Sequence, residues 1–377
     1  MTAPVRTLID TLRLGTPAPP DLPMRWKRLR PDSLPELVAH EGAGIWLYRR
    51  LRVLELFDAL PPPFRERLKG LAFAAAATRL RVEEEAVTVL RMLDAAGIPV
   101  VLIKGMARSA LASRFPFLDA RPTCDVDLLL PGAAIDQGYA LLQSRGYVRV
   151  PSPALRQEHH HLPGLWSGKR VAVELHSSTS SRLPPDIAWA RATTGGEALD
   201  WAGIRVKVPP AAEMIWSAAV HAISDEVVRG FRLQHFLEVA ALLAGGVSLD
   251  WSLVFERAAR GEVHDANGDA EYPVHLVLLW LDGAVQLAGV DSAPGAGPRA
   301  SLDLEALLAW RLAVIGRRRR LGRALTDRML EEGPRALLDL PRQPSPGGTG
   351  PLARVRRGTA SLGSRLLFET WRAARAG

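Results

Sequence analysis

"RPTCDVDLLL", residues 121–130, sets two acids one residue apart at the head of an apolar run. On a β-strand alternate side chains share a face, so Asp125 and Asp127 project together while Val126 points into the opposite layer. Two carboxylates so placed repel each other unless a cation neutralises them. Hard oxygen ligands suit Mg²⁺ or Mn²⁺, and an ion held by few protein carboxylates keeps positions for phosphate oxygens and water. A bare D-x-D is more often a pair of exposed acids at a strand edge, so the weight falls on what flanks it. Cys124, the only cysteine in the chain, alternates away from the acids and reads as a buried, inert thiol.

Upstream, "IPVVLIKG" (98–105) is a β-branched run ending at Lys104-Gly105, and "MARSALASRF" follows with helical composition. A strand-to-helix turn of this kind offers backbone N–H groups to an anion, and the glycine permits close approach. Downstream, "RVAVELH" (170–176) alternates as a strand, with Glu174 and His176 on one face and Val173 and Leu175 turned to the core. A third carboxylate on a neighbouring strand completes a candidate site. Arg121, four residues before Asp125, has two readings: a bidentate phosphate clamp, or a surface arginine paired with Asp119.

Taken together, "IPVVLIKGMARSAL", "RPTCDVDLLL" and "VAVELH" resemble the nucleotidyltransferase superfamily of the DNA polymerase β fold. The chain most closely resembles an uncharacterised bacterial nucleotidyltransferase family with Lys-Gly, Arg…Asp-x-Asp and Glu-Leu-His motifs. The segments "LDAAGIPVVLIKG" and "HAISDEVVRGFRLQHFLEVAALL" fit as well, so the resemblance spans residues 35 to 245. It implies an α+β fold: a polymerase β-like core with a mixed sheet, flanked by N-terminal and C-terminal helical regions. It further implies that Gly105 takes the phosphate-turn position, that Asp125 and Asp127 are the metal-binding acids, and that Glu174 is the third acid, which binds a second metal or activates the acceptor hydroxyl. Lys104 stands where many wider relatives have a second small residue, although lysine is usual in the closest family. Lys104, Gly105 and Arg121 are therefore the expected nucleotide-binding residues. Glu238 stands where the family more often shows aspartate.

The chemistry so implied is in-line attack on the α-phosphorus of a nucleoside triphosphate by a hydroxyl of a protein, peptide or small molecule. Two Mg²⁺ or Mn²⁺ ions about 3.5–4 Å apart would assist, with Glu174 as the base. Two rival readings remain at this level. A D-x-D glycosyltransferase acting on a nucleotide sugar leaves the Lys-Gly turn and the Glu-Leu-His strand unexplained. A binding or antitoxin-like module would keep the fold, use the basic C-terminal region and not need the acids.

Consecutive histidines point in different directions, so His159, His160 and His161 in "EHHHLPGL" read as solvated, or as lying behind the site, rather than as one metal cluster; the family resembled often has histidine just before this strand, which implies that one of them, His161 the candidate, reaches an acceptor or a phosphate. His176 shares the face of Glu174, whereas His221 and His235 read as helix-packing residues.

Apolar residues recur at helical spacing from Ser33 to Leu56 and from Pro63 to Ala96, the second run closing at Gly97 as a C-cap. "AIDQGYALLQSRGY" predicts a helix closed by Gly146, "IRVKVP" a further strand, and the chain from Ala211 is mostly helical. The expected division is 1–96 N-terminal helical region, 97–210 nucleotidyltransferase core, 211–340 C-terminal helical region and 341–377 linker with basic tail.

The net charge of +8 favours anionic partners, and the excess lies late, in Arg317 to Arg320 and the last residues. No interleaved aromatic pattern of the RNA-binding kind accompanies it, so nucleic acid is not the favoured partner. A single cysteine excludes a disulfide framework. The most apolar stretch, "VHLVLLWLDGAVQLAGV", carries His275, Asp282 and Gln286 and reads as a buried helix rather than a membrane span. The expected location is the cytoplasm. The acceptor and the nucleobase have no motif of their own.

Overall fold

The computed structural model describes residues 3–29, 34–150, 161–168, 171–180, 183–224, 232–263, 274–290 and 302–316. His159, His160, the arginine run at 317–320 and the linker with its basic tail lie outside the described residues.

Four short helices open the chain: α1 (Ala3–Leu12), α2 (Leu22–Arg28), α3 (Leu34–His40) and α4 (Gly44–Val53). The stretch from Ser33 to Leu56, expected as one periodic run, breaks in two because Gly42 adopts φ 63° and ends α3. Helix α5 (Pro62–Ala95) follows, 34 residues long. Prolines at its first turn suit positions whose N–H groups have no helical partner. At its far end Gly97 N donates to Asp94 O and Ile98 N to Leu93 O (2.9 Å each), with Gly97 at φ 67°. This Schellman closure turns the chain into the sheet. The buried residues of α5 cluster at its two ends, Phe64 and Leu68 at one and Val82 to Leu93 at the other.

The sheet and its helices then alternate: β1 (Val101–Leu102), α6 (Lys104–Leu111), β2 (Asp125–Leu129), α7 (Ile135–Ser144), β3 (Val148–Arg149), β4 (Leu165–Trp166), β5 (Ala172–His176), α8 (Pro185–Thr193), β6 (Glu197–Trp201) and β7 (Ile204–Val208). The strand order is β3-β4-β5-β2-β1-β7-β6. Strand β2 runs parallel to β5 and antiparallel to β1, so the sheet is mixed. The β6–β7 hairpin, of which only β7 was expected, turns at Ala202-Gly203, both at positive φ (52° and 75°) as a tight hairpin requires. Helices α9 (Ala211–Ser224), α10 (Leu233–Ala244), α11 (Trp251–Ala259), α12 (Val274–Ala288) and α13 (Leu304–Gly316) complete an α+β fold. No described helix is long and apolar enough to cross a membrane.

The two faces of the sheet differ, and that difference positions the site. Val126, Leu128, Val173 and Leu175 are buried in the main core with α5, which continues into both helical regions. The opposite face begins apolar, where Leu129, Val101 and Ile103 pack with Ala192 of α8. Along β2 that same face then passes from Leu129 (0 % exposed) to Asp127 (2 %) to a partly exposed Asp125. Carboxylates therefore replace aliphatic side chains where the sheet opens.

Candidate active site

Parallel pairing of β2 with β5 sets Asp127 directly opposite Glu174, Asp125 opposite Ala172 and Leu129 opposite His176. The alternation of each strand puts Asp125, Asp127, Glu174 and His176 on one face. One-letter periodicity gives that face but not the pairing; the register does.

The ligand-capable atoms of Asp127, Glu174 and His176 lie within 4.8 Å of one another. His176 is fully buried, and its Nε2 donates to Asp127 Oδ1 at 3.0 Å while standing 3.5 Å from Glu174 Oε2. The ring of His161 lies 4.9 Å from that of His176, centroid to centroid, and the two residues form an isolated antiparallel bridge. Of the histidines expected near the site, the structure thus brings His176 into the carboxylate cluster and sets His161 behind it. His221 and His235 lie half-buried on α9 and α10.

Lys104 is the first residue of α6 and has φ 47°. Its ammonium reaches Asp127 Oδ1 at 3.0 Å, the same oxygen that His176 meets. Gly105 follows, and what demands a glycine there is Thr123: a Cβ at 105 would stand 2.4 Å from Thr123 Oγ1 and 2.5 Å from its Cγ2. Thr123 was not singled out from sequence, since a lone threonine in a Pro-containing loop carries no pattern. The contact locks the start of α6 against the approach to β2.

Burial and charge shift four groups in this small space, and not all in one direction. Burial raises the Asp125 carboxyl to about 6, helped by the negative charges of Asp127 and Glu174. Burial acts in the same sense on Asp127, but the Lys104 ammonium and the His176 ring outweigh it and hold that carboxyl well below the usual range. Glu174 is lowered, chiefly through its contact with His176. Burial would depress Lys104, yet the charges of Asp127 and Glu174 raise it above its ordinary value. Unequal environments for paired acids separate their roles.

Arg121 does not pair with Asp119. Its guanidinium meets Glu238, which Arg108 also meets at 2.9 Å, and Asp119 is instead taken by Arg49 and Arg79. Glu238 is buried, and although burial alone would raise its carboxyl, Arg108 and Arg121 pull it down to about 2. Arg108 was missed from sequence because it lies inside a helix-patterned segment, where an arginine reads as solvated. Cys124 is exposed rather than buried, because β2 starts at Asp125 and the preceding residue sits outside the sheet.

The donor set fits a divalent cation. Asp127 and Glu174 present hard oxygen atoms within 4.8 Å of each other, with Asp125 on the same face and His176 bonded to Asp127, and the structure already places a positive charge, Lys104, on the most buried of these carboxylates.

A family described as an uncharacterised nucleotidyltransferase matches residues 28–278 of the chain. No protein of curated function matches it.

Proposed function

Because the chain belongs to this nucleotidyltransferase family and so to that class of enzyme, we propose that it transfers a nucleotidyl group from a nucleoside triphosphate to an acceptor hydroxyl, with Mg²⁺ or Mn²⁺. We read its core as polymerase β-like, at residues 97–210 between helical regions at 1–96 and 211–340. The observation that carries the reading is the register of Asp127 against Glu174 beside the amino end of α6, with Lys104 on Asp127.

Asp125, Asp127 and Glu174 would hold the metal, with His176 fixing Asp127. A cation held there would neutralise phosphate charge and lower the pKa of the acceptor hydroxyl. The first turn of α6 at Gly105 and the side chain of Lys104 receive the triphosphate, as helix amino ends receive anions. Glu238 fixes the planes of Arg108 and Arg121, and Arg121 is the arginine nearest in sequence to the acids for phosphate contact. The acceptor oxygen bonds to the α-phosphorus as the bond to the β-phosphate oxygen breaks. Pyrophosphate leaves, and the acceptor proton passes to Glu174. Positioning and charge complementarity supply most of the acceleration.

The test incubates the full chain with each labelled nucleoside triphosphate, Mg²⁺ or Mn²⁺ and a pool of hydroxyl-bearing peptides and small molecules. Mass equal to a nucleoside monophosphate on any species, lost in Asp127→Asn and Glu174→Gln, supports the reading. Failure to bind any of the triphosphates at millimolar concentration with metal present sinks it.

A further inference from the structure

A cleft of about 210 Å³ opens beside the site, along the flank of α6 from Gly105 to Ser109 and under the middle of α5. Its walls share Gly105, Arg121 and Thr123 with the elements just described, but Asp127, Glu174 and His176 are not among them. Arg108 forms part of its depth, and the charge of Arg108 bears on both Asp125 and Asp127. The cleft is thus adjacent to the carboxylates and distinct from them.

Its chemistry is two-sided. Arg49, Arg79, Arg108 and Arg121 line it, and they share two carboxylates pairwise: Asp119 takes Arg49 and Arg79, and Glu238 takes Arg108 and Arg121. Glu83, 3.8 Å from Arg79 Nε, offsets one further charge, so the wall remains net positive. The Nε donors of Arg79 and Arg108 are buried without a hydrogen-bond acceptor among the described residues. Buried N–H groups left this way are costly, and an incoming oxygen would satisfy them. Arg49 and Arg79 each keep about a third of their side chains exposed (34 %), so the cationic mouth is open to a ligand.

The other side is apolar. No residue of helix α5 from Lys69 to Arg81 is fully buried, and Phe73, 72 % exposed, stands on this stretch with Ala72 and Ala76 at the cleft wall. An aromatic ring left in water at the lip of an arginine-lined cleft is a surface for a flat or apolar group.

We propose that this cleft seats the acceptor, and that the acceptor carries a phosphate or carboxylate group beside an apolar part; the assignment rests on reading the adjoining carboxylates as the nucleotidyl-transfer centre. A triphosphate held at the amino end of α6 leaves the flank of that helix free. A hydroxyl on a ligand lying along the flank then approaches past Gly105 and Thr123.

The experiment uses the full chain and three small hydroxyl compounds that differ in one group: glycerol 3-phosphate, glycerate and glycerol. Saturation-transfer NMR gives the dissociation constant of each, with and without Mg²⁺ and α,β-methylene ATP. Glycerol 3-phosphate or glycerate should bind at least tenfold tighter than glycerol, and which of the two leads identifies the anionic group. Arg79→Lys, which keeps charge but loses the fork, should weaken the charged probe about tenfold, and Phe73→Ser, at an exposed position that does not threaten folding, should weaken phenyl phosphate about tenfold while leaving glycerol 3-phosphate little changed; the affinity for α,β-methylene ATP is unchanged in both. Equal binding of glycerol, or no effect of either substitution, overturns the proposal. Competition between the charged probe and α,β-methylene ATP also overturns it, because the cleft is then part of the nucleotide site. If the ATP analogue fails to bind while the charged probe binds as described, the transfer reading falls and the anion site stands.

Discussion

Lys104 Nζ stands 3.0 Å from Asp127 Oδ1, and it does so from a backbone held in the left-handed region at φ 47°. A non-glycine residue there costs about 1–2 kcal/mol, so the ion pair is kept at the expense of local strain. The ammonium occupies negative potential that a metal would otherwise claim. Lys104→Ala is therefore expected to bind Mn²⁺ about tenfold tighter without nucleotide, by electron paramagnetic resonance titration, and to lose roughly tenfold or more in kcat/KM for transfer through the lost phosphate contact. Unchanged Mn²⁺ affinity would show that the ammonium does not compete.

Gly105 and Thr123 are in closer contact than any side chain at 105 allows. Gly105→Ala should destabilise the fold by about 1–3 kcal/mol in urea unfolding, as overpacking does. Thr123→Ala removes the two nearest atoms and leaves its own Cβ at 3.0 Å, so the double variant should recover part of that loss. Coupling of about 1 kcal/mol or more is expected from the cycle, and strict additivity would refute the contact.

Glu238 carries a pH signature. Its carboxyl lies near 2 in the fold against an ordinary value of 4.5. A depressed acid contributes stability that is present above the unfolded value and is lost as pH falls through the folded one. Ionisation of Glu238 should therefore contribute about 3 kcal/mol at pH 7, and the stability gap between wild type and Glu238→Gln should narrow between pH 5 and pH 2. A gap constant across that window would mean that the charge on Glu238 is not what matters.

Asp125 carries the opposite sign. Raised to about 6, it prefers to be protonated in the fold, so ionising it removes stability as pH climbs from 3.8 through 6. In EDTA at pH 8, Asp125→Asn should be more stable than wild type by about 3 kcal/mol, with no gain at pH 3, and its nucleotidyl transfer with Mg²⁺ restored should be abolished. A destabilised variant at pH 8 would show that Asp125 is a structural acid. Stability yielded for function at a charged site is a familiar trade.

The motifs that led to the site were local, and local regularities survive into the fold. Period-2 alternation was enough to put Asp125 with Asp127 on one face of their strand and Glu174 with His176 on one face of theirs, because a strand offers its side chains only two directions. Gly97 and Gly146 were legible as helix ends for a similar reason: both take the positive φ that a C-terminal closure requires (67° and 88°). The short strands β3 and β4, two residues each, left no comparable trace, since two residues cannot display a period.

The sequence by itself determined which side chains share a face, where the chain turns, and which motifs resemble nucleotidyltransferases. Only the tertiary structure decided that Asp127 faces Glu174, that Lys104 and His176 converge on one oxygen of Asp127, that Arg121 binds Glu238 rather than Asp119, and that Cys124 is exposed. Arg121 and Glu238 are 117 residues apart. Pairings of that kind are chosen by strand register and helix packing, which bring together groups whose separation along the chain leaves no periodic mark.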